Sequence, residues 1–229
     1  MKCVILAAGE GRRMRPLTEH APKPLLKVAG RPIIEHVISA LPEEITELVI
    51  VTGYLGDKIR QFLGKKFLGR DIAYVHQDQR LGTAHALKLC QPHLGGERFL
   101  FTNADDLYDP AGIKECLRHE RSLLVAEHDE PERFGVVSIN SDGTVADIIE
   151  KPEQPKTRLV STGLMALDEN IFSYRPDRHK NGEYYLTTMV EKMLTDYPVH
   201  AVKTSWWFPI ASPEHLSLAE EFLKQRRNL

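Results

Sequence analysis

The stretch VILAAGEGRRMRPLTEHAPKPLLKV, Val4 to Val28, decides how the rest of the chain is read. An apolar run ends at Gly9 and Gly11; Arg12, Arg13 and Arg15 follow, and Lys23 stands between two prolines. The apolar part, Cys3 to Ala8, reads as a buried strand. Ligands of open α/β sheets bind at the carboxyl ends of the strands. Glycine there allows close backbone approach and unusual φ, so backbone N–H groups can line a phosphate. The arginines and Lys23 then offer cationic donors to phosphate oxygens. GxxxxGK[ST] is absent and no third glycine follows Gly11, so the stretch is neither a P-loop nor a dinucleotide fingerprint. On glycine and charge alone, an ordinary strand-to-loop turn with solvated arginines fits equally well.

Working outward, apolar runs alternate with amphipathic segments. Pro32 to Leu41 reads as a helix, with Pro32 in its first turn and Ile33, Ile34, Val37, Ile38 and Leu41 on one face. Leu48–Thr52, Ile72–His76 and Phe99–Thr102 read as strands. Helices are expected around Leu55–Leu63 and over Thr83–Cys90. This βαβα order predicts a doubly wound α/β fold: a mixed, mostly parallel sheet with helices on both faces. After Ser122 the runs shorten: Leu123–Glu127, Val136–Ile139, Val145–Glu150 and Val160–Leu167 read as a small β-rich lobe, with Ser141-Asp142-Gly143-Thr144 as a hairpin turn. Helices over Tyr184–Tyr197 and Pro213–Arg227 close the chain. No linker or repeat interrupts it, so a single domain over 1–229 is expected.

Composition sets the limits. The 229 residues are 42% hydrophobic and 27% charged, enough for a sizeable core, and the formal net charge of -2 excludes a global basic field for a nucleic acid polymer. Cys3, Cys90 and Cys116 form no CxxC pair, so free thiols and a cytoplasmic location are expected. His119-Glu120 begins like HExxH, but Leu123 occupies the second histidine position, and no zinc site is read. No signal peptide or membrane span is read either.

The longer string LAAGEGRRMRPLTEHAPKPLLKVAGRPII resembles the signature of the sugar-1-phosphate nucleotidylyltransferases, LAAG-x-G-x-R-M-x-P-L-T followed by P-K-P and G-x-P. The resemblance implies a nucleotide-diphospho-sugar transferase-like fold, with residues 1–120 as the nucleotide-binding half and 121–229 as the sugar-binding half. It places Leu6, Ala8, Gly9 and Gly11 beside a nucleoside triphosphate, and Arg13 and Lys23 on its phosphates. Arg12 and Arg15 fall at variable positions. Leu81-Gly82-Thr83-Ala84-His85-Ala86-Leu87 is similar to the family's L-G-T-A-x-A-L segment, which implies base contacts from Gly82, Thr83 and the preceding Gln77, commonest among users of UTP or dTTP. Read plainly, the same segment is a helix start with Thr83 near the cap.

Asn103-Ala104-Asp105-Asp106 stands where the family has G-D-x, and the resemblance makes Asp105 a Mg²⁺ ligand. Asp106 is read as either a supporting or a surface residue. Arg133-Phe134-Gly135-Val136-Val137 resembles R-[FY]-G-V-V, with Gly135 touching the sugar. Glu150-Lys151-Pro152 resembles E-K-P, with Glu150 on the sugar hydroxyls and Lys151 on the sugar phosphate. Ser161-Thr162-Gly163 supplies Thr162 as a further sugar contact, and Glu183-Tyr184-Tyr185-Leu186-Thr187 is read as mainly structural.

One departure stands out. Pro209 occupies the position of a second metal aspartate, in Trp207-Phe208-Pro209-Ile210-Ala211-Ser212-Pro213-Glu214, and proline offers neither a carboxylate nor an amide donor. The implied reaction is a Mg²⁺-dependent transfer from an NTP to a sugar 1-phosphate, giving an NDP-sugar and pyrophosphate, with Arg13, Lys23 and Lys151 as the catalytic cations. Two other readings stay open: a CTP-dependent relative using phosphocholine, with Trp206 and Trp207 as an aromatic wall, and a nucleotide-binding protein of weak or no turnover because of Pro209. The sequence ends without hexapeptide repeats, so a second, acyl-transferring activity is not expected. The sugar, the base and any homo-oligomer are left open.

Overall fold

The structure, a computed structural model, describes residues 1–227. β1 (Lys2–Ala7) is almost wholly buried and alternates between two cores, with Val4 in one and Cys3, Ile5 and Ala7 in the other. A strand buried on both faces needs no polar alternation. The chain then runs through the glycine–arginine loop to a short hairpin, β2 (Lys27–Val28) and β3 (Arg31–Pro32), and into α1 (Ile33–Ala40). Pro32 sits just outside α1, in extended conformation, rather than in its first turn. β4 (Glu47–Thr52), α2 (Gly56–Leu63), β5 (Lys66–Phe67) and β6 (Arg70–His76) follow.

α3 (Thr83–Leu94) runs four residues beyond the expected end, carrying Pro92 in its last turn and stopping at Gly95, which is left-handed (φ 67°). β7 (Phe99–Asn103) leads to three elements of which two were not expected from the sequence. β8 (Asp106–Tyr108) is a three-residue strand, and α4 (Pro110–Cys116) starts where the Asp109 carboxylate accepts the Ala111 N–H at 3.1 Å. β9 (Ser122–Glu127), β10 (Gly135–Ile139), β11 (Val145–Glu150) and β12 (Leu159–Leu167) come next. α5 (Leu186–Met193) is shorter than expected at both ends: Tyr184 is tied by its backbone to Leu81 and Ala84, and past Met193 the chain tightens into turns, with Thr195 N on Lys192 O and Asp196 N on Met193 O. β13 (His200–Lys203), β14 (Trp207–Pro209) and α6 (Glu214–Arg227) complete the described chain.

The main sheet has the order β11-β10-β12-β7-β1-β4-β6-β5, with β9 on β12 and β13 on β9. β1, β4, β6 and β7 are parallel. β12 joins β7 antiparallel through Met165–Phe101, Ala166–Leu100 and Leu167–Phe99. The strands expected to form a lobe therefore extend the same sheet. One core packs β1 and β7 against α3 and α5; the other packs their opposite faces against α1, α2 and α4. A third, smaller core of Met14, Val28, Ile33, Leu107, Ile210 and Ala219 pins the glycine–arginine loop to α6. Among the described residues no helix is long and apolar enough to cross a membrane.

Candidate active site

The chain leaves β1 at the carboxyl edge of the sheet and turns at Gly11, whose φ is +61°. A Cβ at Gly11 would stand 3.0 Å from both Lys23 Cβ and Thr18 Cγ2, so tight space adds to the left-handed conformation in favouring glycine. Thr18 Oγ1 donates to Gly11 O at 2.8 Å, and the side chain of Met14 is buried beneath the turn. These contacts hold Arg13 and Lys23 at one place. Lys23 is buried, with its Nζ 2.5 Å from Asp105 Oδ2 at the end of β7. Arg13 makes no side-chain hydrogen bond or ion pair among the described residues and lines the same cavities as Lys23. Arg12 differs: it pairs with Glu10, which also holds Arg80 across the cleft. Hydrogen bonds from Arg12 and then Arg80 keep the Glu10 carboxyl below its ordinary pKa.

Beside this loop opens a cavity of ≈ 770 Å³. Leu6, Ala8, Gly9, Gly11, Gln77, Gly82, Thr83 and Asp105, all expected near a nucleotide, line it. Gln77 Nε2 donates to Gly82 O at 3.2 Å and meets His85 Nδ1 at 3.0 Å, so the amide nitrogen is engaged by the protein itself. Gly82 has φ +101° and caps α3. Its neighbours Leu81 and Ala84 bond the backbone of Tyr184 (Tyr184 N to Leu81 O 2.7 Å, Ala84 N to Tyr184 O 3.0 Å), and Leu186 N donates to Thr83 Oγ1 at 2.8 Å. The second half of the chain is thereby stapled to the rim of this cavity.

A second cavity of ≈ 190 Å³ adjoins it, sharing Thr83, Asn103 and Tyr185. Gly135, Glu150, Lys151 and Thr162 line it. Glu150 Oε2 accepts from Thr187 Oγ1 at 2.6 Å, and a Cβ at Gly135 would meet Thr187 Cγ2 at 3.0 Å. Lys151 has a left-handed backbone (φ 45°), a conformation that costs a non-glycine residue about 1–3 kcal/mol and clusters at functional sites. Its Nζ reaches Tyr185 Oη at 2.6 Å and Glu150 Oε1 at 3.6 Å. Thr162 borders the cavity as expected. Its hydroxyl donates to Leu124 O at 3.0 Å within the core, so its side-chain donor is turned away from the cavity it borders.

Asp105 and Asp106 both border a further cavity of ≈ 200 Å³, with Arg13, Lys23 and Pro209. Asp106 is buried, not a surface residue. Its Oδ2 accepts from Trp207 Nε1 at 3.3 Å, and it pairs across the β8–β14 ladder with Pro209 itself. Burial, and then the neighbouring Asp105, push its carboxyl pKa up. Among the described residues no three His, Cys, Asp or Glu side chains gather as a metal cluster. Two adjacent carboxylates facing a basic pocket nevertheless suit Mg²⁺, which commonly takes one or two carboxylates and completes its shell with phosphate and water. Asp105 is the accessible member.

Three groups were missed from sequence. Asn103 borders all three of the cavities just described and packs against Gly163, where a Cβ would come 2.5 Å from its Nδ2. Thr187 holds Glu150. Tyr185, read as structural, holds Lys151. The only signal for Tyr185 was its place in the Glu183–Thr187 string.

A doubly wound sheet whose carboxyl edge carries a glycine turn, converging cations and a carboxylate defines a phosphate-handling class of α/β protein. The chain belongs to the nucleotidyl transferase family, whose model matches residues 2–226. It is similar to the UTP–glucose-1-phosphate uridylyltransferase AglF of Haloferax volcanii, with 33% identity over 98% of this chain and 97% of that one. It is 31% identical to the bifunctional protein GlmU of Methanococcus maripaludis, over 98% of this chain but 55% of that protein; the chain spans about half the length of such relatives. Among solved structures it resembles a candidate glucose-1-phosphate thymidylyltransferase from Bacillus anthracis, with TM-score 0.85 and 31% identity over 97% of this chain and 94% of that one. A UDP-glucose pyrophosphorylase complexed with UDP-glucose shares the fold at TM-score 0.83 and 23% identity, over 98% of each chain.

Proposed function

We propose that the chain transfers a nucleotidyl group from an NTP, with UTP or dTTP favoured, to a sugar 1-phosphate, releasing pyrophosphate in a Mg²⁺-dependent reaction in the cytoplasm. The observation that carries this is the continuity of the cleft. Arg13, Lys23 and Asp105 open into one end, Glu150 and Lys151 into the other, and Asn103 lies between them. Residues 1–120 chiefly hold the nucleotide and 121–229 chiefly the sugar phosphate. The chain's similarity to AglF and to the candidate thymidylyltransferase supports the choice of substrates.

A phosphate oxygen of the sugar phosphate attacks the α-phosphorus in line. The new O–Pα bond forms as the Pα–O–Pβ bond breaks, and pyrophosphate leaves. No protein nucleophile is needed, because this chemistry depends on positioning and charge stabilisation. Lys151 orients the acceptor phosphate, and Glu150, held by Thr187, accepts from sugar hydroxyls. Gln77 offers its amide carbonyl to the base. Arg13 and Lys23 offset charge on the triphosphate; Lys23 exchanges part of its contact with Asp105 for phosphate oxygens. Mg²⁺, held by Asp105 with Asp106 behind it, supplies further charge compensation when bound.

The test is pyrophosphate release with Mg²⁺, each NTP in turn and a panel of sugar 1-phosphates. Release with one pair, lowered by about 10²–10³ by Lys151→Met, supports the reading; a Lys151 variant with full turnover refutes the mechanism. Phosphocholine with CTP forms a second arm, because Phe134 and Trp207 stand edge to face at 5.3 Å on the wall of the acceptor cavity. Trp206 instead packs on Phe222 beside α6. NTP binding without release in either arm would favour a non-catalytic protein.

A further inference from the structure

We infer that Tyr185 is a positioning residue for Lys151, setting where its ammonium meets the acceptor phosphate; this rests on the acceptor role proposed for Lys151 above. A phenol has one proton to donate and two lone pairs to accept with. At Tyr185 all three are assigned. Its hydroxyl donates to Glu183 Oε2, and accepts from Asn181 Nδ2 at 2.8 Å and from Lys151 Nζ at 2.6 Å. With the proton committed to a carboxylate, the oxygen presents only lone pairs to Lys151. The ammonium lies 4.1 Å from the Tyr185 ring centroid, at the hydroxyl end of the ring.

A lysine has four side-chain torsions, and an ammonium left to solvent samples many positions. Here both ends are fixed. The backbone of Lys151 is left-handed and its N–H donates to Phe134 O at 2.9 Å, while the far end is held at Tyr185. Tyr185 is buried, and the residues on either side of it are stapled to Leu81, Thr83 and Ala84 at the start of α3. The position of the Lys151 charge is therefore referred to the element that frames the nucleotide cavity. The Tyr185 hydroxyl makes the shorter of its two contacts, the other being Glu150 Oε1 at 3.6 Å, and so refers it to both substrates.

Tyr185→Phe keeps the buried ring and removes the acceptor. Loss of a hydrogen bond to a charged group predicts a fall of roughly tenfold or more in kcat/KM for the sugar phosphate. The NTP KM should change much less than this, because the substitution keeps the Tyr185 ring, which borders the nucleotide cavity as well. In a Lys151→Met background the same substitution should be silent, since there is no ammonium left to place. Glu183→Gln, at a half-buried position where folding is not at risk, should give a smaller loss in the same direction. A direct readout that needs no turnover is the rate at which a limiting amine-acylating reagent modifies Lys151, followed by peptide mass spectrometry. Tyr185→Phe should raise that rate severalfold and leave other lysines unchanged. Equal loss in both backgrounds, or an unchanged rate at Lys151, would overturn the inference. If the unaltered protein releases no pyrophosphate, the proposed function fails, and the acylation rates still decide the role of Tyr185.

Discussion

Replacing Gly82 with alanine tests the staple between the two halves of the cleft. Gly82 has φ +101° and ψ -178°, a region open essentially to glycine alone. A Cβ there would lie 2.7 Å from Tyr184 N and 2.9 Å from its carbonyl carbon, and closer still to the oxygen. These are backbone atoms and cannot rotate aside. Two costs add. Backbone strain contributes about 1–3 kcal/mol. Displacing Tyr184 breaks its bonds to Leu81 and Ala84, at about 1 kcal/mol each. Gly30 is the control: its φ is +81°, but a Cβ there would meet nothing within 4 Å, so Gly30→Ala carries only the strain. The two variants should differ by about 2 kcal/mol, or roughly 4–8 °C in Tm for a chain of this size. Thermal melts of both, beside NTP titrations, make the comparison. Gly82→Ala should also weaken NTP binding, while Gly30→Ala should not. Equal melting temperatures would refute the contact argument, and unimpaired NTP binding would refute the assignment of this rim.

Asp105→Asn should lower pyrophosphate release by about 10²–10³, the usual effect of losing one charge-stabilising group, and should weaken Mn²⁺ binding measured by calorimetry. The three thiols should resist a disulfide exchange reagent at pH 8 until denaturant is added. Cys3, Cys90 and Cys116 are fully buried, and burial pushes the Cys90 and Cys116 pKa values up to about 12. Asp106 should make metal-free stability fall with rising pH. Its folded pKa lies above the unfolded value, so its contribution is full below the ordinary aspartate range and is lost as pH rises through the folded value. Asp106→Asn keeps an acceptor for Trp207 and should therefore gain on the unaltered protein between pH 5 and pH 8 in thermal melts.

The parallel half of the fold was legible because each strand there is an unbroken apolar run and each helix shows one apolar face, as in Ile33, Ile34, Val37 and Ile38. β8 and β14 were not, since three residues give no periodicity and their pairing joins segments about a hundred positions apart. α4 did carry a signal, Asp109-Pro110, which marks a cap and a first turn. At the site, the motif positions gather along one cleft, as a resemblance in sequence order can anticipate. What it could not give is side-chain direction. Thr162 borders the cavity but spends its hydroxyl on Leu124 O, and the hydroxyl of Tyr185, read as structural, meets Lys151. Pro209 and Asp106, far apart in sequence, turn out to face each other across two short strands.

The seam between β7 and β12 also dictates an order of events during synthesis. β1 precedes β7 in the chain, so one edge of β7 has its partner already made, but its other edge, with Phe99, Leu100 and Phe101, waits for Met165–Leu167. At about 5–20 residues per second, the intervening stretch of about 60 residues leaves that edge bare for roughly 3–12 s. An apolar strand edge is a template for any passing strand. The nascent chain is therefore most exposed to mispairing when half made, and β12 ends that interval by closing the sheet.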